Sequence, residues 1–359
     1  MVRLVFLAVA ALTLLTACGQ GLVSGPSAFG GTSPLRSRTP VARTAAHFVQ
    51  LRVHPDRRPS YMQPDAGKKS ALIYGSDDAT NDVFVFDYKS GKQVGTLTGF
   101  SAPYGMCVDA KGDIYITNFS AGSVVEYAHG GSTVLNTYSS VGEPIGCSVD
   151  ANDDVAITSF SPGEVVVFDG GDPSKSTTYA GACTYQWPMG YDDKNNLIGV
   201  GEESTGSIVA CALLAGSKSM TTLSGCCTGP ITIDFPGGTM WDGQYIALGD
   251  QEAGGTFLTG VWPSTLSGTT LSSNGEVKFE TSCFGDYVDD VNPFIIGKHN
   301  TPVNRKQGKI EIGPNPCTGT LRHGEWIALF HYPAGGSPFK LYGGNGPAEP
   351  YGMAVSLKT

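Results

Sequence analysis

Pro103-Tyr104-Gly105-Met106-Cys107-Val108-Asp109 recurs as Pro144-Ile145-Gly146-Cys147-Ser148-Val149-Asp150, as Pro188-Met189-Gly190-Tyr191-Asp192 and as Pro230-Ile231-Thr232-Ile233-Asp234. The prolines fall 41, 44 and 42 residues apart. A polar turn follows the first three copies: 110–113, 151–154 and 193–196. A second apolar run comes next: Ile114–Thr117, Val155–Thr158 and Leu197–Val200. A Gly-containing turn leads to a third, Ser123–Tyr127, Glu164–Phe168 and Ser207–Ala210, and a weaker fourth ends near Tyr138, Tyr179 and Leu223. Four short strands in a period of about 40 residues mark the blade of a β-propeller.

The ends of the repeat carry the same logic. Residues 71–100 supply only second, third and fourth strands (Ala71–Tyr74, Val83–Phe86, Val94–Leu97). The missing first strand stands at the other end as Pro350-Tyr351-Gly352-Met353-Ala354-Val355-Ser356. The expectation is an all-β, six-bladed propeller, with blades at 71–100 plus 350–357, 103–138, 144–179, 188–223, 230–282 and 286–342. The C-terminal strand would complete the N-terminal blade and leave no open sheet edge.

Composition agrees with an all-β chain. Gly is frequent at 49 residues and only 15% of residues are charged, so long charged amphipathic helices are absent. Val, Thr, Tyr and Phe sit in short runs split by Gly, Pro, Asn and Asp. A formal net charge of −9 and the lack of a basic stripe argue against nucleic acid as a partner.

The N-terminus reads as an export signal. Met1-Val2-Arg3 carries one positive charge, and the uncharged run Leu4–Leu15 is too short to span a bilayer, which takes about 20 residues. It ends in Leu15-Thr16-Ala17-Cys18-Gly19, which resembles the bacterial lipobox. That resemblance implies cleavage after residue 17, lipidation of Cys18 and a place in the cell envelope, at the outer membrane, in the periplasm or on the cell surface. More than one acyl chain makes such anchoring stable. Residues 18–68, rich in Gly, Ser, Pro, Thr and Ala, read as a flexible tether, and 69–359 as the propeller. A monomer is expected.

In an oxidising compartment the eight cysteines other than Cys18 are expected to form disulfides, with no C-x-x-C or Cys/His spacing for zinc. Cys183, Cys211, Cys226, Cys227, Cys283 and Cys317 are the candidates. Cys183, Cys226, Cys227 and Cys283 fall in entry loops of successive blades. Cys107 and Cys147 differ by one position within their repeats, which places them on opposite strand faces and suggests buried thiols.

The pattern P-x-G-hydrophobic-x-V-D, polar turn, I-Y-I-T resembles the NHL repeat and its relatives, which include the streptogramin lyase and gluconolactonase propellers. The resemblance covers about 70–357. Asn118 and Ser159 replace the Asp that often follows the second strand in NHL blades, and the Trp-Phe-Thr-Glu strand of the lyases is absent. Lactonases of this kind hold a metal with acidic and Asn side chains at the propeller mouth.

At that mouth the entry loops offer Glu143, Trp187, Asp286 and Glu349. The loops between second and third strands offer Asp77, Asp78, Asn118, Glu202, Glu203, Asp250 and His299. Convergent oxygen donors could hold Ca²⁺ or another divalent cation, whereas acidic side chains in turns commonly bond nearby amides. No G-x-S-x-G elbow, P-loop or H-E-x-x-H is present. The expectation is therefore a module that binds a protein, glycan or small ligand, with no catalytic set and no required cofactor. The alternative is a metal-dependent lactonase- or lyase-like enzyme.

Overall fold

A computed structural model describes residues 58–251, 253, 258–280, 292–296, 309–315, 326–337, 339–342 and 350–359, all within the unit Thr39–Thr359. The signal segment, Cys18, most of the tether, Asp286, His299, Glu349, Cys283 and Cys317 lie outside the described residues. Among the described residues no helix is long and apolar enough to cross a membrane.

The chain folds as an all-β propeller. In the first sheet the order is Pro350–Leu357, Ala71–Asp77, Asp82–Asp87, Gln93–Leu97, with Tyr61–Met62 outermost. The second runs Pro103–Val108, Ile114–Asn118, Ser123–Tyr127, Val134–Ser139, and the third Pro144–Val149, Val155–Ser159, Val165–Phe168, Ser176–Tyr179. In the fourth, Tyr185–Gln186 and Gly190–Tyr191 both pair with Leu197–Glu202, followed by Ile208–Leu213 and Thr221–Leu223. The fifth runs Pro236–Trp241, Ile246–Asp250, Leu258–Ser267, with Thr270–Ser273 and Val277–Glu280 side by side on the last. Tyr61–Met62 pairs with Gln93–Leu97, so sheet structure begins inside the stretch read from sequence as tether.

Five complete blades are counted where the repeat predicted six. Within 286–342, Asn292–Ile296, Lys309–Asn315, Trp326–His331 and Lys340–Tyr342 pair in that order. The connecting loops and most side chains of this stretch lie outside the described residues.

The inner strands are buried on both faces, because the sheets stack face to face and alternate residues enter different interfaces, whereas outer strands such as Val134–Ser139 are largely exposed. In Asp82–Asp87, Val83 and Val85 pack with Met106, Ile114 and Ile116 of the second sheet. Phe84 and Phe86 turn the other way, toward Ile327, Leu329 and Tyr342. The near-continuous apolar runs follow from this stacking.

The two ends of the repeat motif have separate structural jobs. Its Asp closes the turn between first and second strands: Asp109 accepts the amides of Lys111 and Asp113 at 2.9 and 2.8 Å. Asp150 and Asp192 repeat the arrangement. Its Gly lets neighbouring inner strands approach around the axis. A Cβ on Gly146 would sit 2.5 Å from Pro188 Cβ and 2.9 Å from Pro188 Cα, and one on Gly105 would strike the Ile145 carbonyl. Gly146→Ala is expected to cost about 2 kcal/mol in urea unfolding, since packed backbone cannot yield. A loss within error of zero would show that these strands can separate.

Two sequence expectations are corrected. Pro230–Asp234 is not an innermost strand. Ile231–Thr232 pairs in parallel with Cys226–Cys227 in a separate two-stranded ribbon. The innermost strand is Pro236–Trp241, and Asp242 closes its turn by accepting the amides of Gln244 and Tyr245 at 2.8 and 2.6 Å. Pro236-Gly237-Gly238 and Asp242 keep the ends of the motif but not its apolar centre, so the better-looking Pro230 copy displaced it.

Cys107 and Cys147 are also not free thiols. They form a disulfide, with Cα atoms 5.5 Å apart. Opposite parity is what bonding between blades requires, because one face of the second sheet meets the opposite face of the third. Both cysteines lie in the cluster between those sheets, with Tyr115, Tyr138 and Ile157.

Candidate functional site

The mouth is the end of the propeller where first strands begin and second strands finish. At several blades the last residue of the second strand reaches across to the entry loop. Asn118 Oδ1 accepts the Ser101 amide at 2.6 Å, and Ser159 Oγ accepts the Glu143 amide at 3.2 Å. Asp250 accepts the amides of Asp234 and Phe235, both at 3.1 Å. Asn118 and Asp250 are thus committed to holding loops in place, a use of Asn and Asp common in turns. Glu143 itself is exposed.

Glu202 occupies the same place in the fourth sheet and behaves differently. The entry-loop amide, Thr184 N, bonds the backbone carbonyl of Glu202 at 2.7 Å and leaves the side chain unused. The residue is 0% exposed, and among the described residues neither carboxylate oxygen has a hydrogen-bond partner. Burial pushes its carboxyl up to about 7, because the charged form loses hydration without compensation.

Trp187 is buried in an arc of aromatic side chains that the sequence reading did not anticipate. Tyr351, Tyr104, Phe119, Phe160 and Trp187 form one cluster with half-buried Tyr185 and Phe235 at its rim. Tyr104 and Tyr351 have ring centroids 4.5 Å apart, while Trp187 meets Phe160 and Phe235 edge-on at 5.4 and 5.8 Å. The available signal was positional. Tyr104 and Tyr351 follow the motif Pro, and Phe119 and Phe160 follow the last residue of their second strands.

Among the described residues no three His, Cys, Asp or Glu side chains gather in an arrangement that could hold a metal ion. His129 is structural, its ring contacting Ser356 Oγ at 2.6 Å and the Lys69 carbonyl at 2.9 Å. The disulfides also differ in plan from bridges across the entry loops. Cys183–Cys211 ties an entry segment to the third strand of its own sheet, and Cys226–Cys227 is a bond between adjacent residues.

Sheets radiating from stacked inner strands, with an aromatic mouth at one end, define a β-propeller protein. No protein-family model matches the chain, and no curated protein matches it in sequence. Solved structures match in shape. A chain of a nidogen/laminin complex is similar with a TM-score of 0.54 and 12% identity, covering 80% of this chain and 99% of that one. A protein of unknown function from Bacteroides caccae gives 0.50 and 8% identity over 80% and 99%. A streptogramin B lyase gives 0.45 and 12% identity over 85% and 95%. Such identities speak to the fold alone.

Proposed function

We propose that this chain is a lipid-anchored extracytoplasmic propeller that binds a protein, glycan or small ligand at its mouth. The observation that carries the reading is the use of the mouth's polar groups. Asn118, Ser159 and Asp250 hold entry loops in place, so the mouth is built as a fixed frame around an aromatic arc. A frame fixed in this way, packed on buried aromatic rings, suits recognition, since little freedom of the loops is lost on binding.

The ring has six blades in this proposal, with Asn292–Tyr342 as the sixth. Two contacts support that: Phe330 and Tyr332 pack with Ala247, Val261 and Phe279 of the fifth sheet, and Ile327, Leu329 and Tyr342 pack with the first. Pro350–Leu357, paired along Ala71–Asp77, would then close the ring.

The anchor rests on Leu15-Thr16-Ala17-Cys18. In detergent phase partition the full chain should enter the detergent phase, and Cys18→Ser should remain in the aqueous phase; equal partition of both removes the anchor. Binding is tested by glycan and peptide arrays probed with the protein from residue 58 onward, which keeps Tyr61–Met62 on the first sheet. Turnover of a lactone together with a stoichiometric metal would replace this reading with an enzymatic one.

A further inference from the structure

We propose that His129 and Ser356 form a proton-operated latch at the end of the propeller away from the mouth. The latch fastens the C-terminal strand Pro350–Leu357 to the first two sheets while the His129 ring carries two protons, and it loosens when the ring gives one up. The joint is independent of the mouth and of any ligand bound there.

Four stretches of chain meet there. Lys69 lies just before Ala71–Asp77, and Ser356 is on the strand paired along it. Gly112 sits in the first turn of the second sheet, and His129 in the turn between that sheet's third and fourth strands. The backbone is packed too closely to give way. A Cβ on Gly130 would sit 2.4 Å from the Gly67 nitrogen, and one on Gly112 would sit 2.2 Å from the Leu357 carbonyl oxygen.

The contacts require more protons than a neutral ring supplies. Nε2 lies 2.9 Å from the Lys69 carbonyl, which can only accept, so this nitrogen carries a proton. Nδ1 lies 2.6 Å from Ser356 Oγ, and the same oxygen lies 2.5 Å from the Gly112 carbonyl. The hydroxyl has one proton for these two contacts. Given to Gly112, it leaves a neutral ring with the Nδ1 lone pair opposed to a lone pair of Oγ. Given to Nδ1, it leaves Oγ and the Gly112 oxygen facing each other with no proton between them. A second proton on the ring satisfies every contact: Nε2–H donates to Lys69, Nδ1–H to Ser356, and Ser356 O–H to Gly112.

Burial works against that proton and by itself holds the ring below its ordinary 6.5; the Lys69 bond acts upward and Lys358 downward. The ring is only half-buried, however, whereas Ser356 is sealed from solvent, so no water can supply a missing proton there. The other charges around the joint are of both signs. Lys69 pairs with Asp65 at 2.9 Å and Lys111 with Asp153 at 3.1 Å. The Asp113 carboxylate accepts the His129 backbone amide, with Asp109 and Glu126 behind it, and Lys68 adds positive charge. Tyr74 accepts the Gly130 amide at 2.9 Å and stays protonated, because burial raises its value. The contacts at Ser356 prevail, and the ring titrates above 6.5 in the folded chain. A raised folded value leaves the latch whole below 6.5 and releases it as pH rises through that value.

The test follows the His129 imidazole of the full chain by NMR from about pH 5 to about pH 9, its signal assigned by its loss in His129→Gln. The midpoint is expected above 6.5, and Ser356→Ala, which removes the contact that needs the second proton, should bring it below 6.5. Amide hydrogen exchange of Pro350–Leu357, corrected for the intrinsic effect of pH, reads the latch itself. Protection in the wild type should fall about tenfold between about pH 5.5 and about pH 8, and His129→Gln should show no such fall. A wild-type midpoint at or below 6.5 overturns the inference. So does wild-type protection that is the same at both pH values, or a fall that persists in His129→Gln.

Discussion

Replacing Cys107 and Cys147 together with alanine is expected to lower stability by about 4 kcal/mol. The bond joins residues 40 apart in sequence. Without it the unfolded chain regains the freedom of that loop, for which chain entropy gives a value of this size. The bond also ties the inner strand of the second sheet to that of the third, so its loss frees adjacent blades to separate. Urea unfolding of the double variant beside the wild type, without reductant, measures the difference. A change below about 1 kcal/mol would mean that packing between Tyr115, Tyr138 and Ile157 already holds the blades together.

Glu202→Gln is expected to do the opposite, raising stability at alkaline pH by about 3 kcal/mol and leaving it nearly unchanged in acid. The carboxyl has an ordinary value of 4.5 and stands at about 7 in the folded chain. Because the folded value is the higher one, the folded state holds its proton more tightly. Stability linked to this group is therefore intact below about 4.5, falls as pH rises through about 7, and stays lost above that. Glutamine, uncharged throughout, removes this slope. Other groups contribute slopes of their own: Asp87 is shifted downward, chiefly by its bond with Ser90 acting against burial. The informative quantity is therefore the difference between wild type and variant at pH 5 and pH 8. Parallel pH profiles for the two proteins would show that Glu202 is hydrated or paired in the folded chain.

How much was legible in the sequence differs between blade and assembly. The second and third blades were readable strand by strand, because Pro, Gly and Asp stand at fixed offsets and the apolar runs between them are short. The fifth blade was misplaced by six residues, from Pro230 to Pro236, because its motif keeps only its two ends and the intervening ribbon imitates the pattern. The candidate mouth was readable as a location. Asn118, Glu202 and Asp250 were expected in loops between second and third strands, and each is instead the last residue of a second strand. Their differing roles were not readable. Whether a carboxylate bonds a loop amide depends on where that loop lies, and in the fourth sheet the amide meets a backbone carbonyl instead.

By itself the sequence determined the period, the order of strands within a blade, the polar turn after each of the first three motif copies and the all-β class. These rest on contacts between residues close along the chain, which leave a local pattern. Only the tertiary structure decided what one blade does to the next. It paired Cys107 with Cys147, turned the motif glycines into the points where inner strands meet, gathered Tyr104, Phe119, Phe160, Trp187 and Tyr351 into one arc, and left Glu202 buried without a partner among the described residues. Those outcomes depend on which sheet faces meet across stretches of about 40 residues or more, and nothing in a repeat unit specifies that facing.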